Sequence, residues 1–268
     1  MSDSKLPLVS IVTPSYNQGK YIERTILSVL DQKYENFEHI IVDGGSTDNT
    51  LDILKKYPHL RWISEKDDGQ SDAINKGFKM TKGTIIGWLN SDDTYNKGAI
   101  AIAVDFLMKR PETIMIYSDC NYINENDAIL GKWKARSSYS EFVHLNFEEV
   151  IPQPTIFFRR KVFEKAGYLD KRYRYAMDME YFVRIGRAGK ISKIKDMTLA
   201  NFRLCGGTKT VTEGKKFRPE VSYIQKKYGA WPVLWVKRIG NATGFMGLIR
   251  KVKARISSRK EVGADKSK

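Results

Sequence analysis

The sequence predicts an α/β fold built on a mostly parallel, Rossmann-like sheet with helices on both faces. Three observations support this. Short apolar runs rich in β-branched residues alternate with segments of helical spacing between residues 8 and 119. Hydrophobic residues make up 41% of the chain, which is enough to bury an ordinary core. After residue 119 the alternation becomes irregular, as expected for a second half packed onto the same sheet.

In the regular half, hydrophobic periodicity sets the order of the elements. The expected strands are Leu8–Tyr16, His39–Asp43, Leu60–Ser64, Thr84–Leu89 and Thr113–Tyr117. The expected helices are Tyr21–Leu30, Thr47–Tyr57, Gln70–Met80 and Lys97–Lys109. Ser46 or Thr47 is the expected cap of the second helix.

The irregular half predicts shorter elements. We expect a hairpin around Asn124–Asp127, a loop at Pro152–Pro154, a strand at Thr155–Arg159, helices at Lys161–Ala166 and Asp178–Ala188, and an extended segment at Ile191–Leu204. The predicted domain therefore covers residues 1–208, with a regular half at about 8–119 and an irregular half at about 120–208. Residues 209–268 form a separate basic, helical tail.

Charge is concentrated in that tail. Residues 209–268 hold 16 Lys/Arg and 4 Asp/Glu, a net charge of 16 − 4 = +12, so 15 − 12 = +3 remains for the other residues. Apolar residues at helical spacing between Phe245 and Ile256 predict an amphipathic basic helix that lies on an anionic membrane surface. Trp231 and Trp235 fit the same interface. Packing of this helix on the domain is the alternative.

Several protein classes are not expected. The chain has no run of eighteen apolar residues and no signal-peptide apolar region near Met1, so we expect a cytoplasmic protein, peripheral on the inner face of the cell membrane. Two distant cysteines, Cys120 and Cys205, do not form a disulfide framework. No nucleic-acid reading motif accompanies the basic tail, so nucleic acid is not an expected partner. Neither a P-loop nor a dinucleotide fingerprint is present.

Ligands of an open parallel sheet bind beyond the carboxyl ends of its strands, and here those ends are acidic. Asn90-Ser91-Asp92-Asp93 follows an apolar strand directly. Carboxylate oxygens suit Mg²⁺ or Mn²⁺, which bridge them to substrate phosphates. A solvated turn that caps the next helix is the competing interpretation.

Two further carboxylates are candidates on the same reasoning. Asp43 precedes Gly44-Gly45, a turn that lets a ligand approach the backbone, and its carboxylate suits the imide N–H of a pyrimidine base. Asp178 opens a predicted helix, where it is either a helix cap or a general base for a hydroxyl. The helix terminus would favour its ionised form.

Five ordered motifs together resemble the family 2 glycosyltransferases of the GT-A fold, over about Leu8 to Lys209. They are Val9–Asn17, Ile41–Asp48, Gly69–Gly77, Gly87–Asp93 and Met177-Asp178. The fourth resembles the D-x-D metal motif of that family, and the fifth lies where the family has Glu-Asp.

The resemblance implies a metal-dependent, inverting transfer of sugar from a nucleotide-diphosphate sugar, most simply UDP- or dTDP-linked, to a glycan or lipid-linked glycan hydroxyl. On the same resemblance, residues 8–119 would be the donor-binding half and residues 120–208 the acceptor-side half. Asp178 would be the catalytic base. Asp92 and Asp93 would hold Mn²⁺ or Mg²⁺. The residues implied in substrate and nucleotide binding are Pro14, Tyr16, Asp43, Asp72, Ser91, Gln153, Arg203 and Lys209.

The sequence departs from the family pattern at three positions. Asn90 replaces the first acid of D-x-D, Ile74 stands where many relatives have Arg, and Cys205 stands where similar sequences have His near the metal. A thiol suits magnesium poorly, and Cys205 is alternatively a packed side chain. These departures leave a second possibility, a non-catalytic GT-A-like protein that binds a nucleotide sugar or a protein partner.

Overall fold

The computed structural model describes residues 6–146, 151–206, 208 and 212–230. The strands in these ranges are β1 (Val9–Ser15), β2 (Phe37–Asp43), β3 (Leu60–Ser64), β4 (Ile85–Trp88), β5 (Thr94–Tyr95), β6 (Thr113–Ile123), β7 (Ile129–Trp133), β8 (Phe157–Arg159) and β9 (Lys190–Arg203). The helices are α1 (Ile22–Leu30), α2 (Thr50–Leu54), α3 (Gln70–Met80), α4 (Ala99–Met108), α5 (Glu141–Asn146), α6 (Val162–Ala166), α7 (Met177–Ala188) and α8 (Phe217–Tyr228), with a short 3-10 helix at Gln153–Thr155.

The first half of the chain forms the expected parallel sheet, in the order β3-β2-β1-β4. The strands β1 and β4 are buried throughout and the outer strand β3 is mostly half-buried. The helices α1 and α2 pack against one side of the sheet and α3 against the other. The helix α3 lies close to the sheet because residue 77 is glycine. A Cβ atom there would lie 2.4 Å from Val12 Cγ1.

The second half makes the whole sheet mixed, so the expectation of a mostly parallel sheet is wrong there: β6 and β9 pair in parallel, but the other described pairings of this half are antiparallel. The strand β8 runs antiparallel to both β4 and β6, and β5 and β7 are also antiparallel to their neighbours. The 3-10 helix explains the direction of β8. Its Gln153 side chain donates to Trp88 O at the carboxyl end of β4. Because β8 therefore begins beside the end of β4, the two strands run in opposite directions.

Two boundaries differ from expectation for local reasons. The second helix is only α2, because residues 46–49 bond to the loop after β1 instead: Asn17 N donates to Ser46 Oγ at 2.7 Å. Neither Ser46 nor Thr47 caps the helix; Asp48 Oδ1 accepts from Thr50 N at 3.0 Å. The strand β6 extends to Ile123, because β9 pairs with it along its length.

The beginning of the predicted tail packs on the body. Ile224 of α8 is fully buried in the same core cluster as α7, and Gln225 Nε2 donates to Leu145 O at 2.7 Å. The amphipathic segment predicted at 245–256 and the two tail tryptophans lie outside the described residues, and the boundary at 208 stays a prediction. Over the described ranges, the longest apolar helices are too short or too polar to cross a membrane.

Candidate active site

The carboxyl ends of β1 and β2 bring three of the expected nucleotide-binding residues together. Ser15 pairs with Asp43 in register, and Gly44 N donates to Ser15 O at 2.8 Å. Tyr16 follows with 60% of its side chain exposed, whereas Asp43 is fully buried. Pro14, one residue before the end of β1, completes this corner. An exposed aromatic ring beside a buried carboxylate is a suitable setting for a planar base.

Asp43 holds the turn that follows it. Its Oδ2 atom accepts hydrogen bonds from Gly45 N at 3.1 Å, Ser46 N at 2.8 Å and Ser64 Oγ at 2.8 Å, and Oδ1 accepts from the Ser46 hydroxyl. Gly45 has a φ of +81°, the left-handed region that glycine adopts without strain. The carboxylate therefore has a structural role, and its contact with a base stays a prediction.

The Asn90 side chain is the centre of an amide network at the end of β4. Its Oδ1 atom accepts from Trp88 Nε1 and from Gln70 Nε2, each at 3.1 Å. Its Nδ2 atom donates to Gln153 Oε1 at 2.7 Å and to Asp93 Oδ2 at 3.4 Å. An asparagine is required for this pattern, because an aspartate has no N–H donor. The departure from D-x-D thus has a structural explanation.

Gln153 is buried in the same network. Its Nε2 atom donates to Trp88 O at 2.8 Å, and its Oε1 atom accepts from Asn90. Both ends of the amide therefore bond to protein groups. The expected contact of Gln153 with a sugar stays a prediction.

The two adjacent acids after Asn90 differ sharply in burial. Asp93 is 1% exposed, and its Oδ1 atom accepts from Arg203 N at 2.9 Å. Burial, reinforced by the neighbouring Asp92 charge, raises the pKa of Asp93 well above its usual value. Asp92 is only half-buried. Of the two expected metal ligands, Asp92 is the one with access to solvent.

Arg203, at the end of β9, is fully buried. Its guanidinium donates from Nε to Asp92 O at 2.7 Å, from Nη1 to Asn124 O at 2.6 Å and from Nη2 to Asp127 Oδ1 at 2.5 Å. The arginine therefore ties the loop after β4 to the β6–β7 hairpin. Its expected role at a diphosphate stays a prediction that requires these bonds to rearrange. Lys209 lies outside the described residues.

Few side chains at this edge could coordinate a divalent cation. Within the described ranges, no three His, Cys, Asp or Glu side chains converge into a metal-binding cluster. Cys205 is buried, with Sγ 3.4 Å from Thr208 Oγ1, as a packed thiol would be. One carboxylate, from Asp92, together with substrate phosphates and water still makes an oxygen set that Mg²⁺ or Mn²⁺ accepts.

Two more predicted binding residues lie near this edge. Asp72 in the first turn of α3 pairs with Lys171 at 3.1 Å and with Lys76 at 3.5 Å. Burial alone would raise the pKa of Asp72, but the hydrogen bonds from Lys171 and Asp68 N, together with the charges of Lys171 and Lys76, lower it. Ser91 is buried, and its backbone oxygen accepts from Thr25 Oγ1 at 2.9 Å. A nucleotide contact of either residue stays a prediction.

Asp178 lies in the first turn of α7 but is not its cap. The N-cap residue is Ala176, and Asp178 Oδ1 accepts from the next backbone amide, Met179 N, at 2.8 Å. Burial raises the pKa of Asp178 to about 6, against the lowering expected from the helix terminus. A carboxylate with this pKa is a stronger base than an exposed aspartate and is still mostly ionised at neutral pH.

A chain of contacts joins Asp178 to the loop after β4. The adjacent Met177 has its sulfur 3.1 Å from Ser71 Oγ, at the start of α3. The preceding residue, Gln70, bonds to Asn90. The α7 start, the α3 start and the acidic loop therefore meet at one edge of the sheet.

A sequence comparison decides the family. The model of glycosyl transferase family 2 matches residues 10–167, which is more than half of the chain. The chain belongs to glycosyltransferase family 2. The prediction of this family from the ordered motifs is thereby confirmed.

The curated relatives of this family 2 chain include bacterial glycosyltransferases and a chondroitin synthase. A putative teichuronic acid biosynthesis glycosyltransferase, TuaG of Bacillus subtilis, is 42% identical over 110 residues, 39% of this chain and 43% of that protein. The matched regions are between 17% and 43% of the length of the first four curated relatives, so the chain spans less than half of each.

Solved structures agree with the expected GT-A architecture. TarS 1–349 of S. aureus in complex with UDP-GlcNAc has a TM-score of 0.67 at 20% identity, covering 82% of this chain and 66% of that chain. The mannosyltransferase PcManGT of Pyrobaculum calidifontis, in complex with GDP-Man and Mn²⁺, has a TM-score of 0.64 at 18% identity, covering 85% and 66%. At these identities the likeness concerns the fold.

Sequence reasoning on this family 2 chain missed Glu220, Gln70 and the role of Asn90. Glu220 contacts the segment before Asp178 from α8, far along the chain. No local pattern signals such a contact. The amide network had a signal, since Gln70, Asn90 and Gln153 each stand inside a quoted motif or loop.

Proposed function

We propose that this chain transfers a sugar from a nucleotide-diphosphate sugar to a hydroxyl of a glycan or lipid-linked glycan. The observation that carries the proposal is that two carboxylates lie on elements that meet at one sheet edge. Asp92 follows β4, and Asp178 opens α7, joined to it through Ser71, Gln70 and Asn90. One carboxylate suits a leaving diphosphate with its metal, and the other suits an attacking hydroxyl.

The donor nucleotide would bind at the ends of β1 and β2. Tyr16 offers an exposed ring for stacking, and the turn after Asp43 brings backbone groups close to the base. The nucleotide is UDP or dTDP on this proposal, because a buried carboxylate suits the imide N–H of a pyrimidine. The complexes of TarS with UDP-GlcNAc and of PcManGT with GDP-Man support a nucleotide sugar in general.

Asp92, with the diphosphate and water, would hold Mn²⁺ or Mg²⁺. When bound, the ion offsets negative charge on the departing diphosphate. The Mn²⁺ in the PcManGT complex supports this choice. Asp93 would act through the loop, because its buried carboxylate accepts the backbone amide of Arg203.

Asp178 would accept the proton of the acceptor hydroxyl as its oxygen attacks the anomeric carbon. Attack from the face opposite the leaving group inverts the configuration at that carbon. The raised pKa of about 6 matches the task, because a base works best when its pKa is close to the operating pH.

We propose a role in the biosynthesis of a bacterial glycan or glycolipid, with the domain at the cytoplasmic face of the membrane, and the names of relatives support the biosynthetic part. TuaG is named for teichuronic acid biosynthesis, and similar mycobacterial proteins, 28% identical over 218 residues, are named for PGL/p-HBAD biosynthesis. The basic tail would then bring the domain to an anionic surface.

A second candidate is a GT-A-like protein that binds a nucleotide sugar without turnover. The replacement of the first metal-motif acid by Asn90, which is fully bonded to protein groups, is the observation that favours it. This candidate predicts binding that does not depend on Asp178 and no product.

A thermal-unfolding panel of UDP-, dTDP- and GDP-sugars, each with and without Mn²⁺, tests the proposal. A donor at about a hundred times its dissociation constant stabilises the native state by about 2.7 kcal/mol. We expect one pyrimidine donor to raise the melting temperature, with a further rise on Mn²⁺ that Asp92→Ala removes. No shift with any nucleotide sugar would refute both the transferase and the non-catalytic binder.

A further inference from the structure

The carboxylate of Glu220 binds three consecutive backbone amides ahead of Asp178. Its Oε1 atom accepts from Arg174 N, and its Oε2 atom accepts from Tyr175 N and Ala176 N, each at 2.8 Å. Hydrogen bonds to an ionised acceptor are about twice as strong as neutral ones. One side chain therefore fixes the direction in which the chain enters α7.

The start of α7 needs such a partner. Its N-cap residue is Ala176, which has no side-chain acceptor, and alanine is among the poor N-cap residues. A carboxylate near a helix N-terminus also stabilises the positive end of the helix dipole. Glu220, from another helix, accepts from the amide of the N-cap residue and from the two amides before it, whereas a local Ser or Asp cap would accept from amides inside the helix.

The helix that carries Glu220 is itself anchored. Ile224 of α8 is buried against α7, and Gln225 bonds to the last turn of α5. Lys227 and Tyr228 both bond to the buried Glu180 of α7, at 2.9 Å and 2.6 Å. These contacts fix α8 against α7 and α5. The Glu220 carboxylate therefore reaches residues 174–176 from a helix that is itself held in place.

The charged groups around Asp178 come from several elements, and most are already neutralised. On α7, Glu180 pairs with Arg184 and Lys227. From α3, Asp72 pairs with Lys171 and Lys76. From α5, burial lowers the pKa of His144 to about 4, so it is neutral near pH 7.

Residues 212–230, which include α8, supply further charged groups, among them Glu213 and Glu220. Glu213 accepts from the Tyr175 hydroxyl at 2.6 Å and pairs with Lys216 at 3.0 Å. The negative charge of Glu220 adds to burial in raising the pKa of Asp178. Glu220 is therefore coupled to Asp178 both by backbone geometry and by charge.

We propose that Glu220 is a positioning residue for the base: it holds residues 174–176 so that the Asp178 carboxylate keeps a fixed orientation at the active edge. This inference rests on the proposed role of Asp178. It also makes residues 212–230 part of the catalytic unit, although the family match ends at residue 167.

Three variants test whether Glu220 positions Asp178 or only stabilises the fold. Glu220→Gln keeps the size of the side chain but replaces one accepting oxygen with an amide nitrogen that cannot accept. Glu220→Asp keeps the charge and shortens the reach by one methylene. Glu112→Gln is the matched control. Glu112 lies just before β6, at the end of the sheet opposite the active edge, and its exposed carboxylate pairs with Lys190.

Hydrogen exchange at the amides of residues 174–176 is the first measurement, and it does not depend on activity. We expect these amides to exchange about tenfold faster or more in Glu220→Gln, with protection of β1, β2 and β4 unchanged. Glu112→Gln should exchange like the parent protein. Unchanged exchange at residues 174–176 would overturn the proposal.

The pH dependence of kcat is the second measurement. We expect Glu220→Gln to lower kcat by about 10–100-fold at unchanged donor affinity, because the base is misplaced. The rise of kcat on the acidic side of its pH profile (the acidic limb) should move to lower pH, because loss of the negative charge of Glu220 lowers the pKa of Asp178. Glu220→Asp should keep that limb and lose kcat alone.

A loss of stability with normal kcat and an unmoved limb would make Glu220 a purely structural residue and overturn the proposal. If Glu220→Gln does not fold, Glu220→Asp carries the test through exchange and kcat. If the parent protein turns over no donor, the transferase proposal fails, whereas the exchange result still decides whether Glu220 holds residues 174–176.

Discussion

Asn90 Nδ2 lies 2.7 Å from Gln153 Oε1, so the residue in place of the first metal-motif acid is bound to another side chain. Gln153 in turn bonds to the backbone oxygen of Trp88. The pair connects the end of β4 with the 3-10 helix that starts the antiparallel part of the sheet. The shape of the acidic loop, and hence the position of Asp92, depends on this contact.

We expect Asn90→Asp to weaken the protein and not to improve its metal binding. An aspartate cannot donate to Gln153 Oε1 and would add a charge beside Asp93, so the free energy of unfolding should fall by about 1–3 kcal/mol. Urea unfolding measures the loss, and transfer as a function of Mn²⁺ concentration measures the metal. Tighter Mn²⁺ binding with normal stability would mean that Asn90 is only a weakened ligand.

Asp92→Ala and Asp93→Ala should separate metal binding from loop structure. Asp92→Ala should abolish transfer and its Mn²⁺ dependence while the protein stays folded, because its backbone oxygen still accepts from Arg203. Asp93→Ala should lose about 1–3 kcal/mol of stability, because the Arg203 amide loses a buried acceptor. The measurements are transfer rate and urea unfolding in parallel. Full activity in excess EDTA would contradict the metal proposal.

Deletion of residues 241–268 should release the protein from anionic vesicles. The deletion removes the predicted amphipathic basic segment and leaves α8, with Glu220, in place. Sedimentation with phosphatidylserine vesicles measures binding, and thermal shift with donor controls for the active site. Equal partitioning of the truncated and full-length proteins would refute the membrane prediction.

The parallel half of the fold was predictable because each of its strands and helices has its own pattern of hydrophobic residues in the sequence. Leu60–Ser64 and Gln70–Met80 match β3 and α3 residue for residue. The antiparallel strand β8 was not predictable in direction, because a contact between Gln153 and Trp88, distant in sequence, sets it.

The site shows the same limit. Short motifs located the acidic loop and Asp178, because their residues are close in sequence. The partners of those residues are not: Arg203 bonds to the loop at Asp92 and Asp93 from β9, more than a hundred residues further along the chain. Burial of Asp93 and Arg203 depends on such long-range packing, which no local pattern encodes.

Release of nucleoside diphosphate by the parent protein and by Asp178→Asn, over pH 5 to 8 with the donor that binds, tests the central claim most directly. The parent kcat should rise with pH through about 6 and level off above it, because the base acts only after losing its proton. Asp178→Asn should bind the donor normally, lose about 10²–10⁴-fold in kcat and lose that limb. An Asp178→Asn variant with the parent rate and the parent pH profile would contradict the account.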